Sequence, residues 1–204
     1  MSPIPTPFFV NRTALVVMLG VLLPAAAMAH PLHNGSGSVV GGLLHPLVGL
    51  DHLIALLAVG IWSAEQQKKQ SKWWIPLTFL GMMLAGAVAG MQSGGIGINE
   101  HFIVSSVLVF GGIIAMMWRP SLTVGLPVLS IFALAHGVAH GAELPADGSP
   151  FGFILGFLLA AAAIMAAGFA AGKYLRQIAE SKGVRIAGLA IMLAGCFLLL
   201  NSLA

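Results

Sequence analysis

Residues 151–172 read FGFILGFLLAAAAIMAAGFAAG, an apolar run without one charged residue. A helix needs about 20 such residues to cross roughly 30 Å of hydrocarbon, and this run is long enough. Working outward from it, five more segments qualify: 42–62, 74–91, 100–117, 122–143 and 185–203. The composition agrees, with 58% of residues hydrophobic and only 7% charged. Soluble domains carry about 25% charged residues, so lipid must solvate much of this chain. The connections are short, as expected for a compact bundle of antiparallel neighbours, and no soluble domain is left over.

The ends of the chain read differently. Arg12 precedes a short apolar stretch, 14–23, too brief to span a bilayer, and Pro24 follows. Ala27-Met28-Ala29 then fits an A-x-A cleavage site. The expectation is a cleaved signal peptide over 1–29 and a transmembrane domain over 30–204, an uncleaved first helix being the alternative. Cys196 is the single cysteine, which excludes an intrachain disulfide or thiolate cluster. The pI is near 9.4, yet the basic residues form no dense patch, so no nucleic-acid partner is expected.

Those basic residues set the orientation instead. Lys68, Lys69 and Lys72 lie between the first and second segments, and Arg119 between the third and fourth. Lys173, Arg176, Lys182 and Arg185 lie between the fifth and sixth. The intervening loops, 92–99 and 144–150, carry no Lys or Arg. Positive loops stay in the cytoplasm, so both mature termini are expected outside, where a signal peptide also delivers the N-terminus. The expected fold is all-α, six transmembrane helices with N-out/C-out topology. Helices one to three and four to six then run oppositely, an arrangement that recurs in transporters as inverted repeats. Gly86/Gly90, Gly152/Gly156 and Gly168/Gly172 are small-xxx-small pairs suited to close helix packing.

Two helices contain groups that hydrocarbon resists. The first reads His45-Pro46-Leu47-Val48-Gly49-Leu50-Asp51-His52, and the fourth His136-Gly137-Val138-Ala139-His140-Gly141-Ala142-Glu143. An aspartate at mid-membrane costs about 2.5–3.5 kcal/mol on insertion scales and is a functional marker by default. On a continuous helix, His45 and His52 are two turns apart on one face, with Asp51 at its edge. His136, His140 and Glu143 form one stripe at i, i+4 and i+7. Gly137 and Gly141 beside it would admit another helix. With the expected topology both stripes fall in the outer half of the membrane. A single intramembrane histidine is more often a hydrogen-bonded packing residue than a ligand; four with two carboxylates at one depth point to an ion. Imidazole and carboxylate suit nickel, cobalt, zinc, copper or iron in the divalent state, and the scarcity of sulfur donors disfavours Cu(I). Glu143 is the weakest member, because it could simply sit at a helix end.

Secondary candidates lie on the same side. Glu100 and His101 open the third helix, where a carboxylate also suits the helix N-terminus. His30 would become the mature N-terminus, with His33 nearby, and a deprotonated amine beside an imidazole can chelate a divalent metal. Pro31 lacks an amide N–H and forbids backbone chelation directly after His30. Disorder of the Gly/Ser-rich stretch 34–38 is the alternative reading.

The two motifs together resemble those of the HupE/UreJ family of nickel and cobalt permeases, associated with hydrogenase and urease accessory functions. Its first pattern, H-P-x-x-G-x-D-H, is matched by His45, Pro46, Gly49, Asp51 and His52. Its second is close to F-H-G-x-A-H-G-x-E, matched by His136, Gly137, Ala139, His140, Gly141 and Glu143, with Ala135 in place of phenylalanine. The resemblance implies a permease of the bacterial inner membrane, not an enzyme, that takes up Ni2+ or Co2+ as cargo and holds no prosthetic group. The metal ligands it implies are His45, Asp51, His52, His136, His140 and Glu143. No phosphate-binding G-x-x-x-x-G-K-[ST] loop is present, so transport would draw on an ion gradient, the membrane potential or a coupled proton. The competing readings are a membrane-embedded metal hydrolase, with Asp51 or Glu143 as base, and a haem carrier with axial histidines.

Overall fold

The computed structural model describes residues 38–93, 100–142, 144 and 149–203, and its secondary structure there is entirely helical. The signal-peptide expectation for 1–29, and His30, His33 and Glu143, lie outside the described residues. Six helices follow in order: α1 Val39–Val48, α2 Leu50–Ala64, α3 Lys69–Ser93, α4 Glu100–Ala115, α5 Leu122–Ala142 and α6 Pro150–Leu203. Among them α3, α5 and α6 are each long and apolar enough to cross a membrane, and α1 with α2 passes the same test as a bent pair.

The bent pair departs from the sequence reading. Segment 42–62 was expected as one helix, but α1 and α2 meet at 87°. Gly49 is the break, with extended backbone at φ −82° and ψ 108°. Pro46 lies inside α1 and has no N–H to donate to the preceding turn, which weakens the helix ahead of the break. Ser38 caps α1 by accepting from the Gly41 amide at 3.1 Å. The spacing argument that put His45 and His52 on one face of a continuous helix therefore does not hold.

A second break divides α6. As one straight helix it would run roughly 80 Å at 1.5 Å per residue, far more than a bilayer core. Non-helical dihedrals at Ala179 and Glu180 split it into arms 150–178 and 181–203. Glu180 sits at φ 51°. The two arms contain the fifth and sixth apolar segments of the sequence. Helix α4 is shorter, 16 residues, or about 24 Å of rise.

Glycine seams hold the bundle together. Virtual side chains at Gly42, Gly60, Gly156 and Gly168 would lie 2.0–2.3 Å from the backbone oxygens of Phe153, Met165, Val39 and Leu57. The α1–α2 pair is thus pressed against the first arm of α6, and residue numbers rise together, so the two run parallel. The α3/α5 seam is also parallel: Gly86, Gly90, Gly137 and Gly141 abut the oxygens of Leu134, Val138, Met83 and Ala87. Contacts from Gly111 to Met192, Gly188 to Ala115 and Gly195 to Leu108 make α4 antiparallel to the second arm. Such closeness suits helices that meet without a hydrophobic driving force. Among the expected pairs, Gly152 is the exception, with only ordinary side-chain contacts. Exchanging the first three apolar segments with the last three maps the two parallel seams onto each other and the antiparallel one onto itself. An inverted repeat requires that pattern.

Helix α2 is the axis of the core, buried throughout 54–64 except at Leu57. Its own Leu56 and Trp62 are fully buried, as are Phe79, Phe110, Ile75, Met83 and Leu129 of the other helices. Outside, Phe151, Leu155, Leu159, Leu193 and Leu200 are exposed, a surface that lipid can solvate and water cannot. Trp73, Trp74, Trp118 and Tyr174 are exposed beside the basic segments, where amphipathic rings belong at a membrane interface.

Candidate metal centre

The break at Gly49 positions half of the site. Because α2 restarts at Leu50, Asp51 and His52 fall in its first turn, where a carboxylate is stabilised by the unpaired amides of the helix N-terminus. Asp51 Oδ1 accepts from the His52 amide at 2.9 Å and from His52 Nδ1 at 2.7 Å. A side chain at position 49 would meet that pair, its Cβ 2.8 Å from His52 Nδ1 and 3.2 Å from Asp51 Oδ1. The glycine of the first motif is thus required by space rather than by a left-handed backbone.

The other half comes from α5. His136 is buried and donates from Nδ1 to the Phe132 carbonyl at 2.8 Å, one turn back. A carbonyl can only accept, so Nδ1 carries the proton, and in the neutral ring Nε2 then carries the lone pair. The carboxylate of Asp51 imposes the same tautomer on neutral His52. In both residues Nε2 is buried and has no hydrogen-bond partner. This is how metal-binding imidazoles are usually held: one nitrogen anchored to an oxygen, the other presented to the ion.

The four histidines converge across helices. His45 Nε2 and His140 Nδ1 are 2.9 Å apart. Ring centroids lie 4.4 Å apart for His52 and His140, 5.2 Å for His52 and His136, and 6.5 Å for His45 and His52. Among the described residues, no three His, Cys, Asp or Glu side chains already form a coordination group; the imidazoles of His45 and His140 bond to each other instead. Phenylalanines wall the cluster. Phe157 is 4.4 Å from the His140 ring, Phe153 5.4 Å from His45 and Phe79 5.8 Å from His136. Five candidate residues, His45, Asp51, His52, His136 and His140, therefore share one largely dry site. Glu100 is exposed at the start of α4, and its neighbour His101 bonds Ser202 Oγ at 2.8 Å.

One polar cluster escaped sequence reasoning. Glu65, just past the end of α2, is buried and pairs through Oε2 with Nη2 of both Arg119 and Arg176. In the sequence the two arginines act as topology signals alone, and nothing local marks Glu65 as their common partner. The available signal was a lone carboxylate in a loop otherwise populated by lysines.

Fold and site together define a helical membrane protein with buried imidazoles gathered from two separate spans. The chain belongs to the HupE/UreJ family: the model for the HupE / UreJ protein matches residues 16–198. Protein HupE of Rhizobium leguminosarum bv. viciae is 33% identical over 186 residues, covering 90% of this chain and 95% of that protein. No solved structure matches.

Proposed function

We propose that this protein is a secondary transporter that takes up divalent nickel or cobalt across the bacterial inner membrane, with six spans, both mature termini outside and residues 1–29 removed. The observation that carries the reading is the pair of buried Nε2 lone pairs on His52 and His136, each with its Nδ1 proton held by an oxygen. Such donors suit a borderline divalent ion, and nickel or cobalt is the cargo that the family resemblance implies. The alternation of helix direction along the seams supports the six-span path, and the basic loops and interfacial tryptophans support its sidedness.

In this mechanism a hydrated ion arrives from the periplasm, collected in part by Glu100 and by His30 and His33. It exchanges water for imidazole nitrogen. The His45–His140 bond opens, freeing two more donors, while Asp51 and the Phe132 carbonyl keep His52 and His136 aimed. Glu143 completes the ligand set. Inward movement of a cation gains about 2.3 kcal/mol per charge for each 100 mV of membrane potential, so a doubly charged ion needs no ATPase. The test is uptake of nickel and cobalt into proteoliposomes with and without an imposed potential. Uptake that is potential-dependent and lost in His52→Ala supports the reading. Uptake that survives substitution at both motifs refutes it.

A further inference from the structure

The imidazole cluster and the Glu65 cluster occupy opposite ends of α2. Thirteen residues separate His52 from Glu65, roughly 20 Å at 1.5 Å per residue. Packed apolar side chains lie between them. Trp62 stacks on Phe110 with centroids 6.1 Å apart, and Phe79, Ile75, Leu129 and Val59 are fully buried. No polar route through this layer is evident among those side chains, so an ion at the histidines faces a solid plug on this side.

Glu65 closes the far end of that plug. Its single oxygen Oε2 joins three segments that are distant in sequence: its own α2–α3 connection, Arg119 between α4 and α5, and Arg176 near the end of the first arm of α6. The Arg119 contact is 3.2 Å. Ser63 adds a third tether, donating from Oγ to the Lys72 carbonyl at 2.6 Å. Two guanidinium groups on one carboxylate leave a net positive charge, so the closed cluster repels a departing cation as well as obstructing it. If the arginines swing out to water, the same place presents a bare carboxylate, which attracts one. Side chains of Arg119 and Arg176 are 30% and 39% exposed while Glu65 is 6% exposed, so the arginines can reach solvent without unfolding anything.

We infer that Glu65, Arg119 and Arg176 form the inner gate of the transporter, a latch whose opening admits the ion from the imidazole site to the cytoplasm. The inference rests on the transport reading, but its test does not depend on metal. Val59 lies in the plug and is fully buried. In a Cys196→Ala background, Val59→Cys is introduced and labelled with a membrane-impermeant maleimide in inverted vesicles, whose outer face carries the Lys- and Arg-bearing loops. With the latch intact, Cys labelling is slow. Adding Glu65→Gln raises its rate at least tenfold, and Arg176→Gln, which leaves Arg119 in place, raises it less. Lys69→Gln, exposed at the start of α3, has no effect.

Equal protection with and without Glu65→Gln, in protein that elutes as a single folded species, overturns the gate. If Glu65→Gln does not fold, Arg176→Gln and Arg119→Gln carry the same measurement. Should none of the three accumulate as folded protein, the cluster is an assembly element and the gate is rejected. Labelling that responds as expected, in a protein that transports neither nickel nor cobalt, would instead sink the functional reading and leave the gate standing.

Discussion

The two ends of α2 solve opposite electrostatic problems. At its start, Asp51 and His52 join imidazoles from α1 and α5, and the buried Nε2 atoms of His52 and His136 are left without hydrogen-bond partners. At its finish, the buried carboxyl group of Glu65 is paired with two arginines. One end is short of a cation; the other has one cation in excess. A buried group that lacks a partner costs free energy, and a fold retains that cost where a ligand relieves it. A paired charge with mobile partners is better suited to a movable contact. Hence substitutions at the first end should alter metal binding, and those at the second should alter access.

The largest expected effect is at the imidazole end. His52→Ala or His136→Ala removes a donor outright, and nickel binding in detergent, followed by titration calorimetry, should fall below detection with the helical content intact. Retained affinity in the double variant would erase the distinction between the ends. Asp51→Asn should be milder, because it only weakens the hold on His52 Nδ1; removal of such a supporting partner typically costs roughly 10–100-fold in affinity. Glu65→Gln provides the contrast, with uptake altered but binding in detergent unchanged. A loss of affinity there would mean that the two ends are one site.

Smaller effects test the scaffold that separates them. Gly137→Ala drives a methyl group to 2.1 Å from the Met83 carbonyl oxygen, where only backbone movement can relieve the clash. Overpacking of this kind costs about 1–3 kcal/mol, and thermal unfolding in detergent should register it together with weakened metal binding, since His136 is adjacent. Glu180→Gly is expected to do the reverse. A non-glycine residue at φ 51° and ψ −141° carries backbone strain of order 1–3 kcal/mol. The glycine relieves it, so the melting temperature should rise slightly while binding is unaffected.

Much of this protein was legible before any coordinates. Long uncharged runs state that lipid is the solvent, because nothing else can solvate them. Basic residues confined to alternate loops give an expected crossing order, which the proposed topology adopts. The histidines of the two motifs stood out because hydrocarbon penalises them wherever they sit. Those inferences depend on composition and local spacing, which a sequence carries in full.

Tertiary structure decided the rest. Periodicity placed His45 and His52 on one helix face, yet Gly49 turns the chain by 87° between them, and their closeness arises from packing against α5 and α6. Tautomers of His52 and His136 follow from which oxygen lies beside Nδ1, a relation fixed only once the helices have met. Glu65 finds Arg119 and Arg176 across 54 and 111 residues of chain, distances over which no local pattern operates. Local energetics tell a segment where it dissolves and how it coils; which charges meet is settled by the assembled bundle.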